Sequence, residues 1–200
     1  MTLPSRARYR YSYEEYLAFE RASLLKHEYV DGEILAMAGG SARHSALASR
    51  MTAALETGRK PGCIAFQSDM RLRVLATGRA TYPDCSMVFG PIEVDPGDSS
   101  HTTITNPVLI VEVLSPSTEQ EDRGGKWQDY QLLPSLQEYV LVNQASSRVE
   151  SYRRLPSRGW QYQDVREGTL QLVSGATVDL RTLYADLPDW SDRKRLLPES

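Results

Sequence analysis

The stretch Val108-Leu109-Ile110-Val111-Glu112-Val113-Leu114-Ser115-Pro116-Ser117-Thr118 decides how the rest of this chain is read. Its first seven residues are the most apolar run in the sequence. The run is short, rich in β-branched side chains and stopped by Ser-Pro, so it predicts a central strand buried on both faces. One acid, Glu112, stands inside it. A carboxylate within an aliphatic strand is costly to bury without a partner. A structural ion pair would explain it, as would an edge position that reaches water. A functional explanation needs other chemical groups that converge on it.

Both flanks offer such groups. Upstream, Tyr82-Pro83-Asp84-Cys85 opens a strand expected over Tyr82–Phe89 and places Asp84 28 positions before Glu112 (112 minus 84). Proline confines that position to an edge or to the first residue of a strand. If the two strands pair, both carboxylates can point into one cleft. Two oxygen ligands of this type suit Mg²⁺, which keeps several waters and binds substrate phosphate. Taken alone, Asp84 reads more simply as a strand-entry residue bonded to nearby backbone. Downstream, the spacing predicts a helix over Glu119–Leu133, ended by Pro134. Asp122, Lys126 and Tyr130 fall at i, i+4 and i+8 and share one of its faces. The short Ser115–Thr118 connection can return Lys126 to the end of the Glu112 strand. An ammonium beside a metal-bound water orients the nucleophile and offsets developing charge. Most helix lysines are instead solvated and paired with a near acid, here Asp122 or Asp129.

Elsewhere the local signals are conventional. Ser12-Tyr13-Glu14-Glu15 is a capping box that starts a first helix running to about Ala22. Asp31-Gly32, between Glu28-Tyr29-Val30 and Glu33-Ile34-Leu35, is a hairpin signal. Ser41–Leu55 predicts a second helix on the Leu47, Met51, Leu55 spacing, with Gly58 just beyond its end. Met70–Val74 alternates and predicts a half-buried strand; Thr77-Gly78-Arg79 is a turn. Pro91–Pro107, rich in Pro, Gly, Ser, Thr and Asp, reads as a mobile surface loop. Strands follow at Tyr139–Val142, Arg148–Arg153, Trp160–Val165 and Thr169–Leu172, then a short helix at Leu180–Leu187. The class is α/β or α+β with a mixed sheet.

The 200 residues are 40% hydrophobic and 24% charged with a net charge of −3, which excludes disorder over the whole length and nucleic-acid coating through bulk charge. No apolar run is long enough for a membrane span. Met1–Arg10 lacks the apolar core of a secretory signal. The two cysteines, Cys63 and Cys85, match no zinc spacing and no disulfide framework, which fits a reducing cytoplasm. Three segments are expected: an arm over 1–10 with alternating Arg6, Arg8 and Arg10, one domain over 11–187, and a polar tail over 188–200 that includes Arg193-Lys194-Arg195.

In order along the chain, Tyr29-Val30-Asp31-Gly32-Glu33-Ile34, Tyr82-Pro83-Asp84, Val111–Thr118, Asp122-Arg123 with Lys126 and Tyr130, and Pro134–Val142 carry a resemblance. Together they resemble the Uma-type family of endonucleases, placed in the PD-(D/E)XK nuclease superfamily. The resemblance covers roughly residues 10–187. It implies an α/β, restriction-endonuclease-like fold with a central mixed β-sheet flanked by helices. It also implies that Asp84 and Glu112 hold Mg²⁺ (or Mn²⁺) and that DNA is the substrate. The superfamily's lysine follows its acid by two residues; here that position is Leu114, and the resemblance puts Lys126 in its place. The resemblance also makes Glu33 a candidate to complete the set, the alternative being a hairpin residue that faces water, and His44 matches a family position near the cleft. Arg71 shares a polar strand face with Arg73 and could meet phosphate. The expected protein is a cytoplasmic, Mg²⁺-dependent endodeoxyribonuclease working as a homodimer. Its rivals are a catalytically inactive nuclease fold serving as a DNA-binding or protein-interaction module, and a structural protein in which Glu112 merely pairs with Lys126.

Overall fold

The computed structural model describes residues 9–37, 39–157 and 159–187. The readings made for Arg6, Arg8 and the 188–200 tail lie outside the described residues.

Helix α1 (Tyr13–Ala22) starts at the capping box: the Ser12 hydroxyl accepts the Glu15 amide at 3.2 Å, and the Glu15 carboxylate accepts the Ser12 amide at 2.6 Å. Strands β1 (His27–Val30) and β2 (Glu33–Ala36) form the hairpin. Asp31 and Gly32 both take positive φ, 49° and 80°, as the favoured two-residue hairpin turn requires. Helix α2 (Ala42–Gly58) is capped by Ser41 and buries Leu47, Met51 and Leu55. Next come β3 (Cys63–Gln67), β4 (Arg71–Arg73), β5 (Ala80–Thr81), β6 (Cys85–Phe89), β7 (Thr103–Ile104) and β8 (Leu109–Leu114). Two short helices follow, α3 (Glu119–Arg123) and α4 (Gly125–Tyr130). The chain continues through β9 (Glu138–Asn143), β10 (Val149–Arg154), β11 (Trp160–Val165), β12 (Thr169–Gln171), β13 (Thr177–Asp179) and α5 (Leu180–Tyr184).

Strand β8 lies inside a mixed six-stranded sheet ordered β11-β10-β9-β8-β6-β3, and all its residues are buried. It runs parallel to β9 and antiparallel to β6. A second sheet is ordered β2-β1-β5-β4-β7, and β12 pairs with β13. By strand parity Leu109, Val111 and Val113 share one face, where they cluster with Leu47, Met51 and Leu55 of α2. Ile110, Glu112 and Leu114 take the opposite face, which is covered by Tyr130, Leu133 and Leu136. At the outer side of β3, Glu56 of α2 accepts the Ala65 amide at 3.0 Å and Arg59 donates to the Cys63 carbonyl at 2.7 Å. No helix among the described residues is long and apolar enough to cross a membrane.

Tertiary packing corrects several local expectations. The strand expected over Tyr82–Phe89 is two strands in different sheets, β5 and β6, with Tyr82-Pro83-Asp84 passing between them. The helix expected over Glu119–Leu133 breaks at Gly124 (φ −109°, ψ −98°), where a Cβ would stand 2.8 Å from the Gln120 carbonyl oxygen. The segment read as a mobile loop is anchored: Asp95, Asp98 and Ile104 are buried within it, and β7 pairs with β4. Asp98 receives the Arg71 guanidinium at 2.9 Å and the hydroxyls of Thr102 and Thr103 at 2.8 and 2.7 Å. Gly58 is not past the end of α2 but its last residue, in contact with the turn between β12 and β13.

Two outcomes follow from these contacts. At an open helical site Gly→Ala stabilises by about 1 kcal/mol. At Gly58 the new Cβ would meet Ala176 Cα at 2.7 Å, backbone that cannot swing aside. Gly58→Ala is expected to destabilise by about 1–3 kcal/mol, read from the urea midpoint. The second concerns Asp98. Burial alone would raise its carboxyl pKa, but the Thr103 and Thr102 hydroxyls, the Ser100 amide and Arg71 outweigh that and hold it below the usual range. A depressed folded pKa gives stability that is present above the unfolded value of about 3.9 and is lost as pH falls through the folded value. Asp98→Ala leaves Arg71 buried without its carboxylate and should cost about 3–5 kcal/mol. Asp98→Asn should flatten the fall of stability below pH ~4, measured by denaturant unfolding at stepped pH.

Candidate active site

The site forms where the chain passes from one sheet to the other. Thr81 ends β5, Cys85 begins β6, and Pro83 between them has no amide to offer either ladder. Strand β6 pairs with β8 in the register Cys85↔Val111, so the antiparallel count brings Asp84 alongside Glu112. The Asp84 amide approaches Glu112 Oε2 at 3.3 Å, and Asp84 Oδ2 accepts the Val113 amide at 2.7 Å. His44, in the first turn of α2, puts Nε2 3.2 Å from the same Asp84 oxygen. These groups line a cavity of about 250 Å³ that also reaches Ser115–Thr118, Asp122 and Lys126.

Glu112 is 3% exposed, and its Oε1 meets two donors: Lys126 Nζ at 3.2 Å and the Tyr130 hydroxyl at 3.0 Å. Lys126 Nζ also lies 3.0 Å from Asp122 Oδ1 and 3.4 Å from Glu28 Oε1. The Asp122 contact is an ion pair without hydrogen-bond alignment, and Asp122 Oδ1 has no hydrogen-bond partner. The Glu28 carboxylate in turn accepts the Thr81 hydroxyl. The break at Gly124 does not separate Asp122 from Lys126; both still face Glu112.

The charges perturb one another strongly. Burial raises the Glu112 pKa above the ordinary carboxylate range; Lys126 opposes this, while Asp122, Asp84 and Glu28 reinforce it. Asp122 is raised by burial, again against Lys126. Burial would lower the Lys126 pKa, but Glu112, Glu28 and Asp122 reverse that and hold it well above its ordinary value, so the ammonium stays charged. The His44 pKa is raised chiefly by its hydrogen bond to Asp84, against the effect of burial. Four carboxylates therefore share this space with one ammonium. Among the described residues no group of three or more His, Cys, Asp or Glu side chains stands ready to hold a metal unaided. The excess negative charge, the hard oxygen donors and the hydrogen-bond vacancy on Asp122 fit an ion such as Mg²⁺, which completes its shell with waters and substrate oxygens.

The structure thus brings together Asp84, Glu112, Lys126 and His44. It does not bring Glu33, which sits beside the hairpin turn opposite Val30 and is absent from the cavity wall. The hairpin sends Glu28 instead. The pairings Val30↔Glu33 and Glu28↔Leu35 put both glutamates on one face of the hairpin, so parity permits either; the end beside β5 is the one that reaches the site. The phosphate role considered for Arg71 is also corrected. Its guanidinium is 4% exposed and committed to Asp98, Thr103, Tyr82 and Thr102.

Comparison with known proteins gives this geometry a family. The family description "Uma2: Putative restriction endonuclease" matches residues 13–185. Two proteins of Synechocystis sp. (strain ATCC 27184 / PCC 6803 / Kazusa) are similar over most of their length. Uncharacterized protein slr1290 is 41% identical over 149 residues, 74% of this chain and 76% of that protein. Uncharacterized protein sll1609 is 38% identical over 148 residues, 73% of this chain and 82% of that protein. A 1.96 Å crystal structure of a putative nuclease belonging to DUF820, from Anabaena variabilis ATCC 29413, aligns with a TM-score of 0.64 at 21% identity, covering 83% of this chain and 93% of that one. That likeness is one of fold, and the fold is restriction-endonuclease-like, with helices on a mixed sheet. By the match across residues 13–185, the chain belongs to the Uma2 family.

Proposed function

We propose that this protein is a Mg²⁺-dependent endodeoxyribonuclease (Mn²⁺ serving in place of Mg²⁺) that hydrolyses DNA phosphodiester bonds. The observation that carries the reading is the convergence of Asp84, Glu112 and Lys126 on one cavity. Family membership, and the fold shared with a protein described as a putative nuclease, support the same reading.

Asp84 and Glu112 would hold the ion. Bound there, it supplies charge that polarises a phosphodiester and makes a bound water more acidic. The protein's own groups prepare that site. The Val113 amide and His44 both address Asp84 Oδ2, which fixes the carboxylate. Tyr130 and Lys126 both take Glu112 Oε1, so Oε2 is the oxygen turned toward Asp84. Leu114, two residues beyond Glu112 on the same face, carries no ammonium. Lys126 supplies that charge from α4, where it orients the attacking oxygen and offsets charge developing on phosphate. A duplex cut needs two such sites, which a homodimer provides. The second reading, an inactive module on the nuclease fold, has one specific observation in its favour: three carboxylates already engage Lys126.

Cleavage of supercoiled plasmid in Mg²⁺ or Mn²⁺ separates the two readings. Lys126→Ala is expected to slow cleavage by about 10²-fold or more and, because it leaves three buried carboxylates without their ammonium, to lower the melting temperature as well. Asp84→Asn should instead weaken metal binding itself. Equal cleavage by wild type and Lys126→Ala sinks the role given to Lys126.

Metal affinity should depend on pH with a definite sign. The Glu112 pKa is raised, so at lower pH a proton occupies the carboxylate and the ion must displace it. Binding should tighten as pH rises and should release protons. Titration calorimetry in buffers of different ionisation enthalpy measures both, and a pH-independent affinity contradicts the assignment of Glu112.

A further inference from the structure

We infer that Glu28 is a positioning residue: it fixes the Lys126 ammonium in the site and acts through it without touching the metal or the substrate. The inference rests on the nuclease reading and adds a member to its machinery.

Lys126 is only 6% exposed and its ammonium lies among three carboxylates, each from a different element. Glu112 is on β8 at 3.2 Å, Asp122 on α3 at 3.0 Å, and Glu28 on β1 at 3.4 Å. The first two are neighbours of Lys126 through the β8–α3–α4 connection. Glu28 is not. It comes from the other sheet and pairs the hairpin with the ammonium. A lysine on a four-carbon stem, in a helix of six residues that follows a Gly-Gly break, is poorly fixed by its own backbone. Glu112 and Asp122 both reach the ammonium from the β8–α3–α4 connection, and without Glu28 its position would be set from that side alone. The third carboxylate adds a restraint from the hairpin. Glu28 is itself restrained, because its Oε1 also accepts the Thr81 hydroxyl at the end of β5. Thr81 immediately precedes the passage that carries Asp84. One hydroxyl therefore links the position of Lys126 to the strand that delivers Asp84.

The carboxylate of Glu28 also lines a second cavity of about 250 Å³, on the hairpin side of Lys126, bounded by Leu35, Met37, Thr118 and Asp122. Lys126 and Asp122 line both cavities, so the Lys126 side chain borders each. Loss of the Glu28 charge would remove the ion pair that restrains Lys126 on the hairpin side.

The test uses the full chain with Glu28→Gln, which preserves size and the acceptor for Thr81 but removes the charge. With Mg²⁺ and plasmid saturating, cleavage turnover should fall about 10- to 100-fold while the KM for DNA, the dissociation constant for Mn²⁺ and the melting temperature stay within about twofold. Glu28→Asp should recover part of the turnover, and Thr81→Val should lose turnover in the same direction but less. Independently of cleavage, acetylation of Lys126 by acetic anhydride, followed by mass spectrometry, should run several-fold faster in Glu28→Gln than in wild type. Wild-type turnover together with unchanged Lys126 labelling overturns the inference. So does a Glu28→Gln protein that loses Mn²⁺ affinity, because Glu28 is then a metal ligand. If wild type cuts no DNA, the nuclease reading fails, and the labelling rate alone decides whether Glu28 fixes Lys126.

Discussion

Glu112 sits in the middle of a strand that has no wet face, and the elements around it are arranged to meet its charge. The three donors that meet its carboxylate all come from outside β8: the Asp84 amide, the Lys126 ammonium and the Tyr130 hydroxyl. Around them Ile110, Leu114, Leu133, Leu136 and Tyr139 close an apolar shell. The shell lowers the local dielectric, which strengthens each contact and penalises any that is missing. Buried ion clusters of this kind add little net stability, since well-packed apolar residues often serve the fold equally well. The chemistry proposed for the site is a physical reason to keep one here.

The arrangement depends on two places where regular structure is interrupted. Between β5 and β6 the chain leaves one sheet for the other across three residues, and the last of them is Asp84. A carboxylate inside either strand would face a core or a neighbour; at the passage it can face a cavity. Between α3 and α4 the chain breaks at Gly124, and Asp122, Lys126 and Tyr130 stay gathered around Glu112 across the break. Both interruptions use residues without a normal backbone or side-chain requirement, proline in one and glycine in the other.

Much of this was legible in the sequence where the signal is local. The Ser12 capping box, the Asp31-Gly32 turn and the Leu47, Met51, Leu55 stripe each encode their geometry within a few residues, and the aliphatic run around Glu112 carries its own burial. That Asp84, Glu112 and Lys126 meet was legible because Glu112 departs from its surroundings, Lys126 repeats at a helical spacing with Asp122, and Asp84 opens the expected neighbouring strand. What was illegible depends on partners distant in the chain. Arg71 reads as a polar strand residue until Asp98 is placed against it, and Pro91–Pro107 reads as a loop for the same reason. Gly58 reads as a helix terminator because nothing nearby in sequence announces Ala176 at its back. Glu33 and Glu28 share a hairpin face, and only the docking of the hairpin on β5 selects between them.

The contacts at β3 bear on how copies of this chain can associate. An outermost strand ordinarily offers its bare amides and carbonyls as a template for another chain. Here the side chains of Glu56 and Arg59 occupy the Ala65 amide and the Cys63 carbonyl, so two of the rungs that an incoming strand would need are already taken. Strand addition at this border would have to displace a carboxylate and a guanidinium held by a helix. Sheet extension through β3, which would recruit further chains into a continuous ladder, is thereby disfavoured.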